Sequence, residues 1–245
     1  MHPEFELNFN QASDKYNKGD FKDAIKILNS LLSVTELTIK EKLAAKFLKT
    51  LCLTQDKAYE EALNVADSII EESMSNNLDL QLVDGFLAKA AILNDQRKLK
   101  ESLKQIKKAE KIIKNQKDSS SNSLRIRESN LLKIKGWSYL YNNQIRKSLD
   151  CFEERIDINR RLGDLLEIGE ALNDTGIALS MLEELNLALK FHEQALKIYQ
   201  ELGYDTYIAT TSKYIVDIYQ NKGESSRAEE YDRIYQVARN KFTND

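Results

Sequence analysis

Proline is nearly missing from this chain and glycine is scarce. Its 245 residues include one proline, Pro3, and eight glycines, against ordinary usage of about 5% and 7%. Sandwiches, barrels and doubly wound sheets need many tight turns, which draw on both residues. Those folds are excluded, as are collagen-like and Pro/Gly-rich disordered chains. No window approaches the roughly 18 to 20 uninterrupted apolar residues of a bilayer helix, so no membrane partner is expected. The N-terminal run Met1-His2-Pro3-Glu4-Phe5-Glu6 lacks the basic patch and apolar stretch of a secretory signal. Cysteine is confined to Cys52 and Cys151, with no CxxC spacing, so reduced thiols in a cytoplasmic location are the expectation. No sign of charge dominates either. The formal net charge is −3, which argues against nucleic acid as the main ligand.

Recognisable chemistry is also sparse. There are two histidines, His2 and His192. His192-Glu193 resembles part of a zinc-protease helix, but Leu196 stands where the second histidine would be, so His192 reads as structural. No GxGxxG or GK[ST] loop cradles a phosphate. The acidic residues are spread beside lysines, as surface ion pairs at i,i+4 would be. No catalytic, cofactor-binding or metal-ligating residue stands out, and an enzyme is not expected.

What is present is helical periodicity, 42% hydrophobic and 31% charged residues, and a repeat. Arg161-Leu162-Gly163-Asp164 is echoed 40 residues later by Glu201-Leu202-Gly203-Tyr204-Asp205. Glycine suits the left-handed backbone that closes a helix, and Asp164 or Asp205 can cap the next one. Small residues pair at a separation of 12: Ala12 with Ala24, Thr50 with Ala62, Ala90 with Ser102, Gly136 with Ser148, Gly176 with Ala188, and Val216 with Ala228. Successive pairs are 38, 40, 46, 40 and 40 residues apart. Small side chains at both places let two antiparallel helices approach closely beside their shared turn. Three residues before each second member stand Phe21, Tyr59, Leu99, Ile145, Leu185 and Ser225, apolar plugs in all but the last.

The chain therefore reads as all-α, with six helical hairpins and about 12 helices. They span approximately 5–33, 38–75, 79–116, 124–162, 165–202 and 206–241, with a polar loop over 117–123. The whole is expected to be a single domain. The turn Gly19-Asp20-Phe21-Lys22-Asp23-Ala24, the run Glu170-Ala171-Leu172-Asn173-Asp174-Thr175-Gly176-Ile177-Ala178-Leu179 and the run Ala188-Leu189-Lys190-Phe191-His192-Glu193-Gln194-Ala195-Leu196 resemble tetratricopeptide repeats. A period near 40 is similar to the longer-helix subtype of the LGN/Pins adaptors and kinesin light chains. The resemblance implies a right-handed superhelical solenoid, whose terminal unit is modified as a cap. Asp232 fits that role, standing where earlier hairpins have Leu28, Ala66, Ile106 and Phe152.

The same resemblance implies a concave groove lined by the first helix of each hairpin, which binds a peptide or helix of a partner. Helical spacing places Lys133, Trp137 and Tyr141, then Asn173 and Ile177, then Lys213, on that stripe. Lysines and an asparagine beside aromatics suit a short acidic or amidated peptide. The carboxylate clamp of some tetratricopeptide proteins is not reproduced, because Trp137 and Ile177 fill two of its places. A non-enzymatic adaptor or scaffold, with no cofactor, is the leading expectation. The alternatives are a self-associating scaffold, dimerising through Tyr231, Ile234, Val237 and Phe242 of the last helix, and a peptide-responsive regulator. The eight lysines between Lys98 and Lys117 read as a solvated outer face.

Overall fold

The computed structural model describes residues 3–116 and 121–243, which form twelve α-helices and no strand. They are α1 (Pro3–Asn17), α2 (Phe21–Leu32), α3 (Ile39–Gln55), α4 (Tyr59–Ser75), α5 (Asp79–Asp95), α6 (Leu99–Asn115), α7 (Asn122–Tyr141), α8 (Ile145–Leu162), α9 (Leu165–Met181), α10 (Leu185–Leu202), α11 (Asp205–Asn221) and α12 (Ser225–Thr243). Of the expected 117–123 loop, residues 117–120 lie outside the described residues, and α7 takes in Asn122 and Ser123. His2 also lies outside them. No described helix is long and apolar enough to cross a membrane.

The chain divides into two compact units, residues 1–141 and 142–245. The division falls inside the expected fourth hairpin: α7 belongs to the first unit and α8 to the second. Within each unit every helix packs against the next in sequence. Odd-numbered helices also meet one another, as α1–α3, α3–α5 and α5–α7 in the first unit and α9–α11 in the second. Each unit is thus a stack of helical hairpins with the odd-numbered helices in a row.

The small-residue pairs are what bring the paired helices together. Ala12, Ala24, Thr50, Ala62, Ala90, Ser102, Ala188, Val216 and Ala228 are all buried. The Ser102 hydroxyl donates to the Ala90 carbonyl at 3.0 Å, across the turn between α5 and α6. Larger apolar side chains fill the space between layers: Leu28 and Leu31 with Leu48 at one end of the first unit, Ile106 with Leu124 at the other. In the second unit Leu196, Tyr199, Ile215 and Tyr219 share one core. Each such side chain contributes about 1.5–3 kcal/mol through burial. The two glycines without an evident place in the repeat acquire one here. A Cβ on Gly85 would meet Ile70 Cγ1 at 2.8 Å, and one on Gly169 would meet Tyr199 Cε1 at 2.9 Å. Gly85 lets the third hairpin lie close on the second, and Gly169 lets α9 and α10 lie close within the fifth.

Helix ends follow local chemistry. Thr38 and Glu41 form a reciprocal capping box at the start of α3. Asp164 caps α9 by accepting from the Glu167 N–H at 3.1 Å, and Gly163 and Gly203 close α8 and α10 with φ of 73°. Asp205 does not cap α11: Tyr204 holds that position, and Asp205 instead accepts from Lys241 Nζ at 3.0 Å.

Every within-hairpin turn passes through one left-handed residue. These are Gly19, Lys57, Arg97, Asn143, Glu183 and Gly223, recurring at the same intervals as the small pairs. Only glycine occupies that region without steric penalty; other residues there cost about 1–2 kcal/mol, partly offset in a glycine by its looser unfolded chain. Replacing Lys57 (φ 61°) or Glu183 (φ 61°) by glycine is therefore expected to stabilise the protein. The gain is about 0.5–1 kcal/mol per site, read as a higher urea midpoint at unchanged slope.

Candidate functional site

In the first unit, α7 carries Lys133, Trp137 and Tyr141 of the expected stripe. All three are half-buried. The Trp137 and Tyr141 rings lie 5.3 Å apart at 46°, one helical turn from each other. Over the Tyr141 ring, at 3.5 Å from its centroid, sits the guanidinium of Arg97. Arg97 is the left-handed residue of the α5–α6 turn, with φ 61°. Its cation–π contact supplies about 0.5–2 kcal/mol, the same order as the backbone cost. Beside it, the Tyr59 hydroxyl donates to Asp95 at the end of α5. The result is an aromatic and cationic platform at the turn end of the odd-helix row.

Beneath the platform a polar network fixes α7 against α5 and α6. Asn94, 5% exposed, donates to the Ile134 carbonyl at 2.8 Å and accepts from the Ser138 hydroxyl at 2.6 Å. Ser138 also lies 3.1 Å from Ser102. At the far end of α7, Arg127 donates to the Leu80 and Ser123 carbonyls and to Asp84, at 2.9, 2.9 and 2.6 Å.

In the second unit, α9 carries Asn173 and Ile177, and α11 carries Lys213. Asn173 is already engaged. Its Oδ1 accepts from His192 Nδ1 at 2.8 Å and from the Thr211 hydroxyl at 3.3 Å, which joins α9 to α10 and α11. Ile177 is half-buried, with Met181 half-exposed one turn beyond. Lys213 pairs with Asp217 on the next turn at 2.7 Å, which holds the lysine above its usual range. Both partners are about half exposed (49% and 50%), so the pair is worth under about 1 kcal/mol and opens readily to an anionic ligand.

His192 is structural, as its sequence context indicates. It is fully buried at the hairpin position that holds Leu28, Ala66, Ile106 and Phe152 elsewhere. Its ring stacks on Tyr214 at 5.4 Å. Gly176 is small for this reason as well as for its helix partner: a Cβ there would lie 2.7 Å from the imidazole. Because Asn173 Oδ1 can only accept, Nδ1 carries the proton and Nε2 has no partner among the described residues.

Sequence reasoning missed Arg155. It is fully buried on α8, where other hairpins have Leu31, Ile69, Ala109 and Ala195. Its Nη2 donates to Glu167 at 2.5 Å and Glu170 at 3.0 Å, and its Nη1 to Asp174 at 2.9 Å. The Tyr207 hydroxyl adds a bond to Glu170 at 2.9 Å. Burial opposes the guanidinium charge, but the carboxylates of Glu167, Asp174 and Glu170 outweigh it and raise the Arg155 pKa. These acids are therefore not the dispersed surface decoration expected from sequence. Two signals were available: a charged residue at an apolar repeat position, and three acids on one face of a helix that contains no lysine or arginine.

On the last helix, Tyr231 and Ile234 pack inward on the core of the second unit. Tyr231 also donates to Glu193 at 3.0 Å. Val237 is 60% exposed, and the Phe242 side chain lies outside the described residues. Cys52 and Cys151 are buried free thiols, and burial pushes Cys52 up to about 12. Among the described residues no group of three His, Cys, Asp or Glu side chains is arranged to hold a metal ion.

Comparison with known proteins agrees with this architecture. The human tetratricopeptide repeat protein 29 is 30% identical over 161 residues, covering 65% of this chain and 33% of that protein. The match thus spans about a third of that relative's length. A Rap protein complexed with Competence and Sporulation Factor superimposes with a TM-score of 0.74 at 14% identity, over 94% of this chain and 66% of that one. PlcR from Bacillus thuringiensis, in complex with the peptide PapR7 and DNA, gives 0.70 at 15% identity, over 84% and 73%. No protein-family model matches the chain.

Two measurements check these assignments. Arg155→Met leaves three carboxylates facing one another and is expected to destabilise the protein by about 3–5 kcal/mol in urea denaturation. Adding Glu170→Gln and Asp174→Asn restores part of the loss. For His192, burial lowers the pKa from 6.5 to about 4. Below about pH 6.5 the unfolded chain takes up a proton that the folded chain refuses. Its stabilisation is thus complete above that pH and is lost as pH falls toward 4, by up to about 3 kcal/mol. The drop in unfolding free energy from about pH 7 to 4.5 is expected to be smaller in His192→Gln than in wild type.

Proposed function

We propose that this chain, a protein of the tetratricopeptide-repeat fold, is a non-enzymatic adaptor that holds a peptide or helix of a partner protein along the odd-numbered helices of each unit. The observation that carries the reading is the Trp137–Tyr141–Arg97 platform on the odd-helix row of the first unit. An aromatic pair backed by a guanidinium, seated on a rigid polar network, is the kind of preorganised anchor that dominates protein interfaces. In the second unit, Ile177 and Met181 offer apolar contact, and Lys213 offers a charge held only by an exposed pair. The complex of PlcR with a peptide supports a peptide as the ligand class for this fold. Repetition of one helix face along a stack supplies an extended binding surface with no catalytic group required.

Crosslinking pull-down comparing wild type with Trp137→Ala and with Lys133→Glu/Lys213→Glu tests the proposal. Loss of the recovered partners in both variants is the expected result; equal recovery sinks the groove assignment. Trp137 is the chain's single tryptophan, so its emission is expected to shift when a recovered peptide is titrated. Light scattering on the free protein separates an adaptor from a self-associating scaffold, which would show dimers or larger species.

A further inference from the structure

The outward face of α6 divides its charge in a way that fold stability does not account for. The inner side of the helix, Ser102, Ile106, Ala109 and Ile113, is buried. On the other side Lys100, Lys104, Lys107, Lys111 and Lys114 are exposed. Their spacing alternates four and three residues, which keeps them in one line along the helix. At 1.5 Å per residue the line is about 21 Å long. Elsewhere in the same unit the half-buried Lys46, Lys49, Lys89 and Lys135 pair with Glu72, Glu61, Asp67 and Glu110, while the exposed Lys22, Lys40 and Lys57, scattered over other helices and turns, make no ion pair among the described residues. None of the five α6 lysines makes an ion pair among the described residues. Like charges three and four apart weaken a helix, so the line is kept at a cost to α6.

The surroundings narrow what can cover it. α4, which packs on α5 as α6 does, leaves Glu60 and Glu71 exposed. A broad anionic surface, such as a bilayer or a nucleic-acid duplex, would meet carboxylates as well as lysines. The five lysines also have no exposed apolar or aromatic side chain among them to enter a bilayer or stack on bases. A single narrow acidic strand of charge follows the lysine line and meets only Glu101, exposed beside Lys100, at its edge. We propose that the lysine line of α6 is a docking face for an acidic helix of a partner protein, one with Asp or Glu at matching three- and four-residue spacing. This surface is separate from the odd-helix row and does not depend on the groove reading.

The test uses fluorescence anisotropy with a labelled alanine-based helical peptide bearing glutamates at that spacing. Wild type is compared with Lys107→Glu/Lys111→Glu on α6 and with a control of identical net charge, Lys22→Glu/Lys26→Glu on α2. At about 50 mM salt the α6 pair is expected to weaken binding about tenfold and the control less than about threefold, with both differences shrinking by about 200 mM. Circular dichroism checks that helix content is unchanged. Should the α6 glutamates unfold the helix, Lys107→Gln/Lys111→Gln carries the same expectation. Equal weakening by the control, no binding by wild type at low salt, or tighter binding to a short DNA duplex or to phosphatidylserine vesicles would each overturn the proposal.

Discussion

Each hairpin depends on two backbones coming close enough that only small side chains fit between them. Ala12 against Ala24, Ala90 against Ser102 and their counterparts are buried because the helix pair closes on them. The rest of the geometry follows from that contact. It places the turn a fixed distance away, so the left-handed residue recurs at the same place in every hairpin whether or not glycine is available. It also presents the next layer of each helix, at Leu28, Ile106 or Phe152, to the neighbouring hairpin. A larger side chain at the small position would open the pair and displace that layer, since close-packed interiors transmit such changes rather than absorb them.

On this apolar frame a few positions carry polar side chains instead, and they are what make the repeats different from one another. Arg155 and His192 both sit where other hairpins have Leu, Ile, Phe or Ala. Each is satisfied by residues that only its own neighbours supply: Glu167, Glu170 and Asp174 for the arginine, Asn173 for the histidine. Replacing a buried ion pair by apolar residues of equal volume is often neutral or stabilising. These groups are therefore better read as devices of register than as sources of stability. A hairpin shifted by one turn would leave Arg155 buried without carboxylates, which is far more costly than a slipped leucine. The same reasoning covers Asn94 and Ser138, which join α5 to α7 through a side-chain bond and a bond to the Ile134 carbonyl.

The helices were legible in the sequence because three independent signals coincide. The apolar period marks the buried faces, the small pairs mark the contacts, and Gly163 or Gly203 marks an end. Where a signal was single, the reading slipped: Asp205 resembles Asp164 in the repeat, yet the extra residue Tyr204 takes the cap. The surface was less legible. Spacing could place Asn173 and Lys213 on a common stripe, but it could not show that one is bonded to His192 and the other to Asp217. Nor could it show Arg97 folding back over Tyr141, since the contact comes from a turn residue in a strained backbone region. Arg155 was recoverable in principle, by asking which repeat positions break the apolar rule rather than which keep it.

That question separates two kinds of charged residue that composition treats alike. A charge at a core position, such as Arg155, must find its counter-charge within the fold, because an unpaired buried ion is untenable. A charge at a surface position need not, because water screens it. Four half-buried lysines of the first unit, Lys46, Lys49, Lys89 and Lys135, nevertheless reach a carboxylate on an adjacent helix. The five outward lysines of α6 stay exposed without an ion pair among the described residues, and Glu60 and Glu71 of α4 likewise stay exposed. The lysines therefore form a line of one sign that water screens in the free protein and that a docked partner of opposite charge would neutralise.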